Sequence, residues 1–322
     1  MDLIATLRSK IDALQEGDYS PGLKAVVLHI ETAFGHLSRG QTKNEETAFT
    51  DAIYRTNQAF EGSIKEAYRV LAGKDPARQR PYDIEQYLEK EKVFRSRVLS
   101  QFTNYRTEWR NPAAHDYKLD FDESESFLAI ISVSAFACLL FDQIAEHVAF
   151  IGAKGAADAH KSNLRKRLGK KDGSLRDRAI RLFSAFASQK QMGMVPNERR
   201  PEVQVLGALA GFLASAAPDI NVTIEPRLSP DKFERGDMLL ELGDDKLLVE
   251  LKRDHATTKM LYSAVTQVEH YLLVSGLRDA LLYFYSDGPC ELQQEDRSLP
   301  QIGAHIAVLR PRKVEPSKRG GP

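Results

Sequence analysis

A chain of 322 residues in which 45 Lys or Arg balance 45 Asp or Glu has no bulk attraction for nucleic acid or an acidic surface built into its net charge. With 42% hydrophobic and 28% charged residues, it is too apolar for intrinsic disorder and long enough for two domains with separate cores. Its two cysteines, Cys138 and Cys290, lie far apart in apolar runs. They exclude a disulfide framework or cysteine metal site and read as buried free thiols.

The N-terminus, MDLIATLRSK, lacks the pattern of a secretory signal. From residue 1 to about 152 no segment alternates as a strand does, and apolar residues recur at helical spacing. One series is Ile53, Phe60, Ile64, Tyr68 and Leu71; a second is Val93, Val98, Phe102 and Tyr105. A third is Phe127, Ile130, Ile131, Phe136, Leu139, Leu140 and Ile144. Gly73, Pro76 and Pro81 punctuate the first two. The expected fold of 1–152 is an all-α bundle of about five helices. Its most apolar run, about 127–140, contains Ser132 and Ser134 and is too short to span a bilayer. The expectation is a cytoplasmic protein with no membrane partner.

Within this half stands Trp109-Arg110-Asn111-Pro112-Ala113-Ala114-His115. On an unbroken helix, residues five apart diverge by about 140°, which would keep Arg110 and His115 apart. Pro112 disfavours helical geometry at Asn111 and suits the first turn of a new helix. The chain is therefore expected to bend there and turn both side chains to one cleft. A histidine can move a proton near neutral pH, and an arginine can neutralise charge building on a phosphorane. Together they are equipment for metal-free RNA cleavage; the plainer alternative is a histidine capping a proline turn. Trp109 reads as core. The Arg-Asn-x₃-His string between helices resembles the HEPN superfamily, whose motif is Arg-x₄₋₆-His with a polar residue directly after the Arg. Arg110, Asn111 and His115 match it, and Asn57 and Glu61 sit where such bundles often place another polar site residue. The resemblance covers about 32–149. It implies ribonuclease activity and a homodimer whose motifs meet across the dimer cleft, although some HEPN domains serve only as dimerisation or sensing modules.

Residues 153–200 read as a basic linker with one short helix at 175–189. Positions 161–181 hold nine Lys or Arg against two Asp, which suits a phosphate backbone and equally a solvated connection. The tail 313–322 reads as disordered.

From 201 to 312 the pattern changes to a mixed α/β domain, so the whole chain is expected as α plus α/β. Glu202 opens an apolar helix, and a strand follows at 220–225. Leu239 and Leu240 then precede a tight Gly243-Asp244-Asp245 turn, and Leu247, Leu248 and Val249 follow it, as in a β-hairpin. A helix at 258–275 and strands at 280–285 and 305–309 complete the order α-β-β-β-α-β-β. The hairpin carries Asp237, Glu250 and Lys252. Alternation puts Glu250 and Lys252 on one face with Leu251 on the other, and antiparallel pairing can bring Asp237 beside them. Two adjacent carboxylates suit a hard cation such as Mg²⁺ or Mn²⁺, and the Lys252 ammonium can position water or neutralise a phosphate. Asp244 and Asp245 read as turn chemistry, and Asp254 and His255 as loop residues.

Asp-x₁₂-Glu-x-Lys in such a hairpin looks like the PD-(D/E)xK restriction-endonuclease-like superfamily. Gln267 and Tyr271, four apart on one helix face, are similar to the Gln-x₃-Tyr element of RecB-like members. The resemblance covers about 201–312. Gly236 stands where a proline often precedes the first acid. It implies a Mg²⁺-dependent nuclease with DNA as the expected substrate, Asp237 and Glu250 as metal ligands, and Lys252, Gln267 and Glu202 as further site residues. Together the two resemblances imply a two-headed nuclease of bacterial antiphage defence, homodimeric through its helical half, acting on DNA and through that half on RNA. Two alternatives stay open. The helical half can be a non-catalytic binding or regulatory module, or the whole chain a scaffold in a toxin–antitoxin or repair assembly. No Gly-x₄-Gly-Lys-Ser/Thr loop is present in the sequence, so an energy-dependent step would need a partner.

Overall fold

The computed structural model describes residues 2–115, 120–168, 173–189, 201–230, 234–254 and 257–312, apart from the side chains of Ala114, His115, Arg165 and Arg167. The expected tail at 313–322, His255 and the later part of the expected linker fall outside the described residues. Two units, Met1–His147 and Val148–Pro322, part inside a long helix.

The first unit is helical. It comprises α1 (Leu3–Asp12), α2 (Ser20–Lys43), α3 (Thr47–Val70), α4 (Pro81–Lys90), α5 (Ser96–Tyr105), a π-turn (Arg106–Arg110), α6 (Asn111–His115) and the start of α7 (Glu123–Ala159). Asn44, left-handed at φ 57, ends α2, and the short link to α3 makes the two helices antiparallel neighbours. Pro81 begins α4, where its missing N–H costs nothing. Phe60 of α3 holds the centre. Its ring centroid lies 5.5 Å from Phe102, 4.9 Å from Tyr105 and 5.5 Å from Phe136. All four rings are fully buried, and truncating one such ring to alanine costs about 3–5 kcal/mol. The apolar run near 127–140 belongs to a 37-residue helix, long and apolar enough to cross a membrane by length and composition. Half of its most apolar window is buried inside the protein, including Ile130, Val133, Phe136 and Leu140. Cys138 and Cys290 are free thiols, half-buried instead of fully enclosed.

The second unit adds α8 (Lys161–Leu168), α9 (Leu175–Ala187), α10 (Glu202–Ala216), β1 (Asn221–Ile224), β2 (Met238–Leu242), β3 (Asp245–Arg253), α11 (Thr258–Ser275), β4 (Asp279–Tyr285), β5 (Leu292–Leu299) and β6 (Ala304–Pro311). The strands form one mixed sheet in the order β1-β2-β3-β4-β6-β5. β1, β2 and β3 pair antiparallel, β3–β4 and β4–β6 parallel, and β5–β6 antiparallel. Leu247, Val249 and Leu251 face a layer built by α9 and α10, while Leu248 faces α11. This is the period-two alternation of a strand buried on both faces.

Two features differ from the sequence reading. The short helix expected at 175–189 forms as α9, but it packs instead of linking: its Leu175, Ala179, Leu182, Phe183 and Phe186 are buried in the same core as the sheet. Arg181 is exposed and Arg176 half-buried, while Arg178 is buried and paired with Asp219 at 2.8 Å, so basic composition masked an apolar stripe. The strand β5, LQQEDRSL, was not expected. It is an edge strand with mostly exposed polar residues, which protect an open edge from further pairing and erase the apolar signal.

Candidate functional site

The β2–β3 hairpin brings the acidic pair together. Met238 pairs with Val249, so Asp237, one residue before β2, lies across from the segment that carries Glu250. The Asp237 carboxylate accepts from the Leu251 N–H at 2.7 Å. Lys252 Nζ donates to Glu250 Oε1 at 2.7 Å. From α11, Gln267 Nε2 reaches the same oxygen at 2.9 Å and lies 2.8 Å from the Tyr271 hydroxyl. Thr257 caps α11, its side chain accepting from Met260 N, and Gly276 closes the helix in a left-handed turn. Those caps set the helix along the sheet so that Gln267 and Tyr271 face the hairpin.

Glu250 is only 3% exposed, and its Oε2 has no hydrogen-bond donor. The neighbouring Asp237 carboxyl lies within hydrogen-bonding reach but offers a donor only when protonated. Burial, with Asp237 next to it, raises the Glu250 pKa to about 7 in spite of Lys252. Asp237 is raised by burial, against the Leu251 N–H and Lys252 that favour its charge. Glu202, the first residue of α10, is raised by burial and then by Asp237. For Lys252 burial works against the charged form, yet Glu250, Asp237 and Glu202 outweigh it and the pKa rises. Glu202, Asp237, Glu250, Lys252, Gln267 and Tyr271 are thus one electrostatic cluster. Among the described residues no group of three or more His, Cys, Asp or Glu side chains is arranged to hold a metal ion. Two carboxylates suffice for Mg²⁺, which keeps waters and takes substrate phosphate oxygens for its remaining positions. The donor-free Oε2 of Glu250 and the mutual repulsion of the acids fit such a cation.

Residues beyond the expected set also bear on the cluster. Glu225 pairs with Asp237, its N–H donating to the Asp237 carbonyl at 2.9 Å, and its charge raises Asp237 further. Arg253 chelates Asp287 at 2.7 and 2.8 Å. Nothing in the local sequence marks Glu225, because its role follows from strand register alone.

The helical unit departs from expectation at Pro112. Asn111 is helical, with φ −68 and ψ −46, and the chain runs from α5 through the π-turn into α6 without a break. A proline inside a helix removes one hydrogen bond and clashes with the carbonyl four residues back. The π-turn, in which Asn111 N donates to Arg106 O, inserts the extra residue that relieves this. The expected bend is replaced by a change in helical pitch. Arg110 Nη1 donates to Asn111 Oδ1 at 3.2 Å, and Arg110 Nε lies 3.9 Å from Glu85 Oε1. His115 ends α6; its side chain lies outside the described residues, so its meeting with Arg110 is not among the described contacts.

Glu85 was missed in the sequence. It is 3% exposed, and its Oε1 has no hydrogen-bond donor. Burial raises its pKa, against the pull of Arg110 and Arg106. Arg106 grips Glu89 through 2.6 and 2.9 Å bonds. The i, i+4 spacing of both Glu85/Glu89 and Arg106/Arg110 was the available signal. Asn57 and Glu61 belong to the same surroundings: Asn57 Oδ1 lies 2.9 Å from the Tyr105 hydroxyl, and Glu61 raises Glu85. Trp109, expected in the core, is half-buried and packs against Ile53, Phe121 and Ala129.

No family model, curated protein or solved structure matches this chain at a significant level.

Proposed function

We propose that the Val148–Pro322 unit is a divalent-metal-dependent nuclease that hydrolyses the phosphodiester bonds of DNA. The observation that carries this reading is Glu250, a buried carboxylate with one oxygen lacking a donor, set against Asp237 and Lys252. A packing role does not account for such a group, because a buried carboxylate oxygen left without a donor is costly even when its twin oxygen is paired. Asp237 and Glu250 would hold the cation, Mg²⁺ or Mn²⁺, which supplies Lewis-acid polarisation of a phosphoryl oxygen. Lys252 keeps its charge and neutralises the scissile phosphate. Gln267 fixes the rotamer of Glu250, and Tyr271 fixes Gln267. Glu202, drawn toward its neutral form, is suited to exchange a proton nearer to neutral pH than an ordinary carboxylate.

The same proposal gives the helical unit a HEPN-like role, dimerising the chain and cutting RNA, with the whole protein acting in bacterial antiphage defence. A second reading keeps the nuclease and makes the helical unit a binding or regulatory module. It is favoured by the engagement of Arg110 with Asn111 and Glu85. Plasmid DNA incubated with Mg²⁺ tests the nuclease. Asp237→Ala, Glu250→Ala and Lys252→Ala should each abolish cleavage with folding intact, and full cleavage by Glu250→Ala sinks the assignment.

A further inference from the structure

From 126 to 141 the helix α7 reads SFLAIISVSAFACLLF, without one charged residue. Its inner side supplies Ile130, Val133, Phe136 and Leu140 to the core. A surface helix ordinarily turns polar residues outward, but here the outer side is apolar as well. Phe127 is 46% exposed, Leu128 53% and Ile131 40%, and Ala135, Cys138 and Leu139 are half-buried. Spacings of three and four residues put these side chains on one stripe, about 18 Å long at the helical rise. Single apolar side chains on a surface are ordinary, whereas a contiguous stripe marks an interaction site.

The stripe is self-complementary. With a second copy antiparallel across it and the two-fold near Val133, Phe127, Leu128 and Ile131 of one copy come opposite Leu139, Cys138 and Ala135 of the other. The bulky half of each stripe meets the smaller half of its counterpart, as packing of ridges into grooves requires, and every contact occurs twice. Charge fixes the direction. Glu123 and Glu125 lie just beyond the bulky end. At the other end Lys10 of α1 donates through Nζ to Asp142 Oδ1 at 2.5 Å. An antiparallel pair brings the acidic end to the end that Lys10 serves, whereas a parallel pair sets Glu123 and Glu125 against their own copies. The same acids disfavour a bilayer, because helices that lie on anionic lipid flank their apolar face with Lys and Arg. Ser132 Oγ donates to Asn104 Oδ1 at 2.9 Å, so the stripe runs beside α5, the helix that leads through the π-turn to Arg110.

We propose that a second copy of this chain covers the α7 stripe in an antiparallel, two-fold pair, with Ile131 against Ala135 at its centre. This rests on the dimer proposed for the helical unit and assigns the surface that forms it. The occupant removes Phe127, Leu128 and Ile131 from water, which is the driving force for the pairing.

Sedimentation velocity of the full chain over a dilution series tests the pairing. Leu128→Glu and Ile131→Glu should each weaken self-association about tenfold or more, because each sets an unpaired charge in the middle of the interface. Both side chains face water in the single copy, so the variants should keep the wild-type circular dichroism. A second variant reads the register. In a Cys290→Ser background, Leu128→Cys sets a thiol opposite Cys138 of the second copy. A short bismaleimide should then link the two copies, and adding Cys138→Ser should abolish the link. A wild-type dimer that both glutamate variants leave unweakened overturns the α7 interface and leaves the dimer on another surface. Absence of the link in a dimer that those variants do weaken overturns the antiparallel register. A monomeric wild type overturns both the interface and the dimer, and co-sedimentation of that monomer with phosphatidylglycerol vesicles gives the stripe to a lipid surface instead.

Discussion

Gln267 Nε2 donates to Glu250 Oε1 at 2.9 Å, while the other oxygen of that carboxylate has no donor. The amide locks one half of the group and leaves the other half facing the acidic partner Asp237. In the proposed nuclease Gln267 would act as a positioning residue. Gln267→Ala should lower the cleavage rate by about 10²-fold or less, with the Mg²⁺ dependence retained. Single-turnover rates measure this, and wild-type behaviour would reduce α11 to a packing element.

The buried pair makes metal-free stability depend on pH. The folded pKa of Glu250, about 7, lies above the usual unfolded value of about 4.3. Folding therefore favours the protonated acid. Its contribution is complete below the unfolded value and is lost as pH rises through 7. In EDTA, urea melts should show unfolding free energy falling by on the order of 3–4 kcal/mol across this window. Glu250→Gln should flatten that part of the profile. A wild-type profile already as flat as that of Glu250→Gln contradicts the burial argument.

Gly211 marks where α10 meets the backbone of residue 150. A Cβ at this position would stand 2.1 Å from the Phe150 carbonyl oxygen, a backbone atom that cannot swing aside. Gly211→Ala should destabilise the second unit by about 1–3 kcal/mol, although alanine is the better helix former by about 1 kcal/mol. Calorimetry of the full chain decides this, and an unchanged or raised melting temperature argues against the close approach.

The helical unit makes a chemically distinct prediction. Cleavage by an Arg–His pair needs no metal. RNA cleavage should survive EDTA, leave a 2′,3′-cyclic phosphate and vanish in His115→Ala, while DNA cleavage in the same tube stops. The proposed two-fold assembly would supply two such pairs per dimer. Analytical ultracentrifugation at micromolar concentration should find a dimer. A monomer contradicts the assembly, and an intact dimer without EDTA-resistant ribonuclease leaves a scaffold.

The sequence by itself determined the helical half, the hairpin and the shared face of Glu250 and Lys252. These follow from local periodicity, from a tight turn and from the two-residue alternation of side chains along a strand. The four-residue spacing of Gln267 and Tyr271 was equally local. Only the tertiary structure decided that Gln267 reaches Glu250, that Asp237 accepts from Leu251, and that one oxygen of Glu250 is left without a donor. Those relations depend on strand register and on how α11 lies across the sheet, and neither is encoded within any one window of residues. The same holds for Arg110. Its neighbours in sequence suggested a bend at Pro112, but the π-turn absorbs the proline, and the charge it meets belongs to Glu85 on another helix. Strand β5 and the apolar stripe of α9 escaped notice for the opposite reason. Their exposed polar and basic residues satisfy the edge and the surface, and composition reports the side facing water more loudly than the side that packs.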